Sequence, residues 1–232
     1  MFRFFSKFEI GLWLGSCGMI TFIFLCNAHR DILTVIASLL GATMLIFLAK
    51  GHPTGQIMTI VFALIYAVIS YRLAYYGEMI TYLGMTAPTA AVAAYEWTKN
   101  PYQKGKAEVK VAPLNAIKVI GLIGLTIVVT VIFYFILRYL NTANLVISTI
   151  SVATSFLASS LTVLRSHFYA IAYGANDVVL IGLWTMASIA DIKYLPMVLC
   201  FCVFLVNDIY GFVNWTKMMQ RQGMQKVSIQ EM

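Results

Sequence analysis

Apolar residues run in long blocks along this chain, and polar residues collect in the short gaps between them. Six blocks hold no Asp, Glu, Lys or Arg: Ile10 to Ala28, Ile32 to Ala49, Gly51 to Tyr71, Met79 to Tyr95, Val119 to Leu137 and Tyr139 to Leu164. Two more, His167 to Ser188 and Leu195 to Trp215, are each interrupted by one acidic residue. A membrane-crossing helix needs about 20 mostly apolar residues, so the pattern predicts eight spans. None of the blocks alternates as a barrel strand would, and in hydrocarbon a helix satisfies its own backbone. The expected fold class is an all-α polytopic membrane protein with eight transmembrane helices. The first block lacks a compact apolar core followed by a small-residue cleavage site, and it is read as a retained helix.

Composition agrees with lipid as the main solvent. Of 232 residues, 61% are hydrophobic and only 11% charged, with a mean hydropathy of +0.84. A soluble core has no use for that much apolar surface. The net charge of +7 comes from basic residues spread over the gaps rather than one face, so nucleic acid is not an expected partner. The charges report topology instead. With a cytoplasmic N-terminus the inner segments hold Arg3, Lys7, Lys50, Lys99, Lys104, Lys106, Lys110, Lys118, Arg165, Lys217, Arg221 and Lys226, against Arg30, Arg72, Arg138 and Lys193 outside. That asymmetry predicts both termini on the cytoplasmic side of the membrane.

The two halves of the chain look alike. Trp97-Thr98-Lys99 ends the fourth span and Trp215-Thr216-Lys217 ends the eighth, while Lys50 and Arg165 follow the second and sixth. The polar stretch from Thr98 to Lys118 divides the chain between them. The expected organisation is an N-terminal helix over residues 1–30, a three-helix repeat over 31–100, a loop and inverting helix over 101–142, a second repeat over 143–218 and a tail over 219–232. Such parallel repeats, related by an axis along the membrane normal, are a known plan for transporters.

Chemistry is sparse. Cys17, Cys26, Cys200 and Cys202 all fall in spans and read as ordinary buried thiols, with no disulfide. No metal site, cofactor or catalytic residue is expected: His29, His52 and His167 lie near span ends without ligand spacing. Gly105-Lys106 lacks the glycine and hydroxyl residue of a phosphate loop. Trp97 and Trp215 are expected as interfacial anchors, and Glu78 as a cap or interfacial group.

The informative residues lie in the seventh and eighth spans. Asp177 and Asp208 are intramembrane carboxyls, each preceded by an amide in Asn176-Asp177 and Asn207-Asp208. At that depth an ionisable group costs at least ~2.5 kcal/mol and should face the interior or a wet cavity; holding helices together is the alternative role. Tyr169, Tyr173, Asn176 and Trp184 share one broad face of the seventh span. Aromatic planes beside amide and carboxyl groups suit a flat heterocycle bearing hydroxyls. In the corresponding span of the first half, Gln56, Tyr66, Ser70 and Tyr71 are the counterparts.

The chain resembles the PnuC family of bacterial vitamin and nucleoside transporters. The resemblance rests on Ala49-Lys50-Gly51, Ser70-Tyr71-Arg72, Tyr76-Gly77-Glu78 and above all Leu205 to Trp215, and it covers residues 30 to 218. It implies a three-plus-one-plus-three fold related to the sugar-transporting SWEET proteins. It also implies facilitated diffusion of nicotinamide riboside or a related nucleoside, trapped by a cytoplasmic kinase, with a homo-oligomer possible. Family members that carry nicotinamide riboside show Trp-x-x-Trp-x-x-x-Asn in the seventh span. Here Asn176 matches, but Tyr169 and Ala172 stand at the tryptophan positions, so a purine nucleoside or deoxynucleoside, thiamine or riboflavin remain alternatives. Proton coupling through Asp177 or Asp208 is another.

Overall fold

The computed structural model describes residues 5–26, 31–72, 75–142 and 144–230, with side chains to residue 223 apart from that of 193. Arg3 and Arg30, the side chains of Lys193 and Lys226, and the expected unit boundaries at residues 30 and 143 lie outside what is described. The chain forms α1 (Lys7–Cys26), α2 (Ile32–Ala49), α3 (Thr54–Arg72), α4 (Tyr76–Thr81), α5 (Ala87–Lys99), α6 (Ala116–Tyr139), α7 (Leu145–Val163), α8 (Tyr169–Ala190) and α9 (Leu195–Gln230). Among the described residues, seven helices are long and apolar enough to cross a membrane. The remaining expected span, the fourth, is α4 and α5, joined without a break by a π-helical turn over Tyr82–Thr86.

Pro88 accounts for that turn. It has no N–H to offer the carbonyl of Gly84, so a regular helix would leave a gap in the ladder. The chain widens instead, and the N–H of Ala87 donates to Tyr82, five residues back. Elsewhere the helix starts follow ordinary capping: Asp31 accepts from the N–H groups of Leu33 and Thr34, and Asn115 from that of Lys118.

Helices α2, α3 and α5 pack consecutively, as do α7, α8 and α9. The two trios then meet reciprocally, α2 against α9 and α5 against α7. The first helix of each trio thus lies on the last helix of the other, as a two-fold pseudo-axis requires. Local bonding repeats as well. At the end of α2 the N–H groups of Gly51 and His52 donate to Leu48 and Phe47; at the end of α7 those of Arg165 and Ser166 donate to Thr162 and Leu161. Both turns need a left-handed residue, Gly51 at φ +63° and Arg165 at φ +57°.

The connection between α5 and α6 is tied to both trios. The N–H of Val109 donates to Gly51 and that of Ala112 to Arg165, at 2.9 and 3.0 Å. The side-chain amide of Gln222 on α9 accepts from the N–H of Val111 and donates to the carbonyl of Val109. Val109 itself is fully buried.

Helices α1 and α6 stand at the periphery. Only Leu122 and Leu137 of α6 are buried, whereas α7 buries Ser148, Ser151, Ser155, Ser159 and Thr162. On α7 small hydroxyl side chains point inward beside Val152, Ala158 and Leu161, as at close-packed membrane helix interfaces. The cysteines correct one expectation: Cys200 is buried, but Cys26 and Cys202 are exposed and Cys17 is half-buried. Two positions apart on a helix means opposite faces, so Cys200 and Cys202 cannot both point inward.

Candidate functional site

Helix α8 carries the first components. Tyr169 begins the helix, and at 1.5 Å per residue Asn176 lies about 10 Å and Trp184 about 22 Å further along. The Oδ1 of Asn176 accepts from Thr154 Oγ1 at 2.8 Å and Ser155 Oγ at 2.9 Å on α7. Two donors on one oxygen fix the amide's orientation, leaving its NH₂ as the group free to turn toward a ligand.

Asn176 and Asp177 open on a cavity of about 50 Å³ among α2, α3, the π turn, α7, α8 and α9. Its polar lining includes Asp177, Asp208, Gln56, Thr59, Ser155, Thr86 and Tyr173, and its apolar wall Phe62, Phe201 and Phe204. The carboxyl groups of Asp177 and Asp208 are within hydrogen-bonding reach of each other, and Tyr173 faces both. Asp177 Oδ2 and Gln56 Nε2 are buried without a protein partner. A buried polar atom so placed costs about 1–3 kcal/mol, a cost that native structures accept mainly where a ligand or water completes the bond.

Two aromatic layers bracket the cavity. At the end carrying the 100–115 connection, Trp97, Trp215 and Tyr169 cluster in tilted and edge-to-face contact, with centroids 5.2 Å apart for the tryptophans and 4.7 Å for Tyr169 against Trp215. Toward the other end, Tyr66 lies 4.3 Å from Tyr82, and Trp184 4.6 Å from Tyr75. The indole N–H of Trp184 donates to the hydroxyl of Tyr66 at 3.1 Å, across 118 positions of sequence. Trp97 and Trp215 are separated by the same 118 positions. When equivalent residues of two repeats touch, both must lie close to the pseudo-axis, so both layers sit on it.

Of the residues singled out in the sequence, Gln56, Tyr173, Asn176 and Asp177 come together at the cavity. Tyr66 and Trp184 pair in the layer above it, and Tyr169 joins the layer below. Asn207 points away: its amide donates to Ser16 of α1 at 3.0 Å. Adjacent helical positions differ by about 100°, so Asp208, not Asn207, reaches the cavity. Ser70 is fully buried, whereas Tyr71 is 62% exposed on the outer surface.

Two expectations need correction. Trp97 and Trp215 are not interfacial anchors: both are completely buried, and their indole N–H groups donate to Thr162 and Leu48 of the opposite trio at 2.9 and 2.8 Å. Glu78 is neither a cap nor interfacial; it is 2% exposed and accepts a long bond from Ser151. The cavity residues Phe62, Tyr82, Thr86, Phe201 and Phe204 were not singled out, because a phenylalanine facing a cavity has the same sequence signature as one facing lipid.

Among the described residues no group of three or more His, Cys, Asp or Glu could hold a metal. Rings, amides and carboxyls gathered between two reciprocally packed helix trios fit the plan of a membrane transporter. The chain belongs to the family described as nicotinamide mononucleotide transporters, whose pattern matches residues 31–217. It is 25% identical over 222 residues to the nicotinamide riboside transporter PnuC of Neisseria mucosa, covering 94% of this chain and 84% of that one. It is 23% identical to the nicotinamide riboside transporter PnuC of Haemophilus influenzae, covering 82% of this chain and 81% of that one. The crystal structure of the vitamin B3 transporter PnuC superposes with a TM-score of 0.82 at 25% identity, over 94% of each chain.

Proposed function

We propose that this multi-pass membrane protein takes up nicotinamide riboside or a closely related nucleoside by facilitated diffusion, with a cytoplasmic nucleoside kinase trapping the solute as its phosphate. The observation that carries this reading is the cavity, where the Gln56 amide, Asn176 and the Asp177–Asp208 carboxyls face Tyr173 and a phenylalanine wall. Amide and carboxyl groups there bond ribose hydroxyls, and the rings enclose a flat base. Relatives named as nicotinamide riboside transporters support the choice of solute. The reading includes a bacterial inner membrane with both termini cytoplasmic, and two three-helix units over residues 31–100 and 143–218.

At about 50 Å³ the cavity falls well short of the few hundred Å³ typical of ligand pockets. Entry of a nucleoside therefore requires Phe62, Phe204 and Tyr82 to separate, as alternating access between the aromatic layers demands. A second reading, a purine nucleoside or deoxynucleoside, is favoured by Ala172, which offers no ring where the family's riboside carriers place tryptophan. Uptake of radiolabelled nicotinamide riboside into proteoliposomes, competed by nucleosides and vitamins, separates the readings. Competition by adenosine alone would favour the second, and competition by no nucleoside would overturn both. Equal uptake with and without a pH gradient is the result expected for facilitated diffusion.

A further inference from the structure

A cleft of about 720 Å³ runs between α1 and α9, apart from the solute cavity. Phe8 and Leu12 of α1 and Val206, Ile209 and Val213 of α9 form its apolar wall. On α9 the lining continues through Tyr210 and Asn214 to Lys217, at spacings of three and four that draw one stripe along the helix. At 1.5 Å per residue the stripe from Val206 to Lys217 is about 16 Å long. Phe8, Val206, Ile209 and Val213 are all exposed, so the cleft opens sideways onto the surrounding lipid.

One end of the cleft is polar, with Ser6, Glu9, Lys50 and Lys217 on its wall. Asn214 donates to the carbonyl of Ala49 at 2.7 Å, which sets this turn of α9 level with Lys50, and Lys217 follows within a turn. The apolar blocks of α1, α2 and α9 start or stop here, beside Lys7, Lys50 and Lys217, so this level is that of the lipid headgroups. The one acid on the wall is already occupied. Glu9 Oε1 accepts from Lys50 Nζ and from the hydroxyl of Tyr210, and Oε2 from Lys50 Nζ and from the N–H of Ser6. Lys50 thereby cancels Glu9. Lys217 is exposed and makes no ion pair among the described residues, so one positive charge is left over at the polar end of an apolar cleft.

We infer that the cleft between α1 and α9 binds one anionic phospholipid, its phosphodiester beside Lys217 and the Ser6 hydroxyl and an acyl chain along Val213, Ile209 and Val206. Basic pockets between membrane helices at the headgroup level have this chemistry. A free phosphate leaves the apolar length of the cleft unfilled, and a zwitterionic lipid brings its own cation to Lys217. The smaller cleft on the other side of α1, about 280 Å³ beside Phe5, Trp13 and Phe47, has no basic residue on its wall; it lacks the headgroup anchor. Helix α1 packs chiefly on α2 and α9, so a lipid seated here is a further partner that holds it to the trios.

Native mass spectrometry of the full chain in detergent, with phosphatidylglycerol or phosphatidylcholine of matched acyl chains, tests this. Retention of phosphatidylglycerol should exceed that of phosphatidylcholine by about fivefold, the contribution of one lysine near an anionic lipid. Lys217→Gln should bring the two lipids to parity, whereas Lys104→Gln, an exposed lysine in the 100–115 connection, should leave the preference intact. Thermal unfolding supplies an independent readout: phosphatidylglycerol should raise the midpoint of the wild type, and inorganic phosphate at the same concentration should not. Equal retention of both lipids by the wild type would overturn the inference, as would a preference that survives Lys217→Gln or falls equally in Lys104→Gln. Stabilisation by inorganic phosphate alone would assign Lys217 to a soluble anion, and dimers retaining no lipid would give the cleft to a second copy; either result sinks the lipid site.

Discussion

Trp97 and Trp215 illustrate how position along a span misleads about a side chain's role. A tryptophan at the basic end of an apolar helix reads as an anchor in the lipid headgroups, yet each indole here crosses to the other trio and bonds a carbonyl near the end of its first helix. Those carbonyls, of Thr162 and Leu48, already accept from Arg165 and Gly51, so the indole supplies a second bond plus the ring contact. Trp215→Phe should cost roughly 1–2 kcal/mol, the worth of one buried hydrogen bond and a small cavity. Trp97→Phe should cost the same by symmetry, and the pair should be non-additive because the rings touch. Thermal unfolding of the three variants in detergent checks this; independent, unequal losses would argue against the symmetric arrangement. His52 and His167, in the turns after α2 and α7, have pKa values lowered by burial, and the Nδ1 of His52 accepts from the N–H of Thr54 at 3.2 Å. The fold favours the neutral imidazole, so this contribution is complete above a pH of about 6.5 and is lost as pH falls through the lowered values. The unfolding midpoint should drop between pH 7.5 and 5, and His52→Gln with His167→Gln should shrink that drop.

At the level of elements, the π turn decides which side chains of its span line the cavity. Tyr82 and Thr86, its first and last residues, both line the cavity, and the turn exists because Pro88 cannot close a regular ladder. Pro88→Ala should restore ordinary helix and rotate one side of the span relative to the other by about 100° per residue absorbed. Proline inside a helix costs about 3 kcal/mol relative to alanine, so the variant should unfold at a higher temperature yet transport less. Unchanged uptake in a stabilised variant would show that the turn is not needed for the site. Eight spans were legible in the sequence, six as unbroken apolar blocks and two despite a single acidic residue, because an apolar length of about 20 residues is what a membrane helix needs. The π turn was not, since a proline in a span is equally compatible with a kink or a π turn, and packing chooses between them.

On the scale of the molecule, α1 docks through a charged contact in addition to apolar ones such as buried Ile20 and the Phe8 ring against Tyr210. Glu9 is 2% exposed and accepts from Lys50 Nζ, from Tyr210 and from the N–H of Ser6, joining α1 to the end of α2 and to α9. Glu9→Ala removes the carboxylate beside the Lys50 ammonium, whose side chain is 21% exposed. The expected loss is about 1–3 kcal/mol, less than for a fully buried pair because water still reaches the lysine. Uptake per folded molecule should be retained, since Glu9 lies off the cavity; a collapse in uptake at unchanged stability would place α1 in the transport cycle.

The sequence by itself determined the solvent, the helices and their order, because each depends on local apolar length and on backbone groups that must bond within their own segment. It also singled out Asn176 and Asp177, since polar groups in hydrocarbon are conspicuous against an apolar background. It could not choose between Asn207 and Asp208, or separate Phe62 and Phe204 from the lipid-facing phenylalanines. Those depend on how each helix is rotated about its axis, and rotation is set by reciprocal contacts between trios 65 to 167 positions apart in the chain. Only the tertiary structure brings the two carboxyls to one cavity and seals it between aromatic layers on the pseudo-axis.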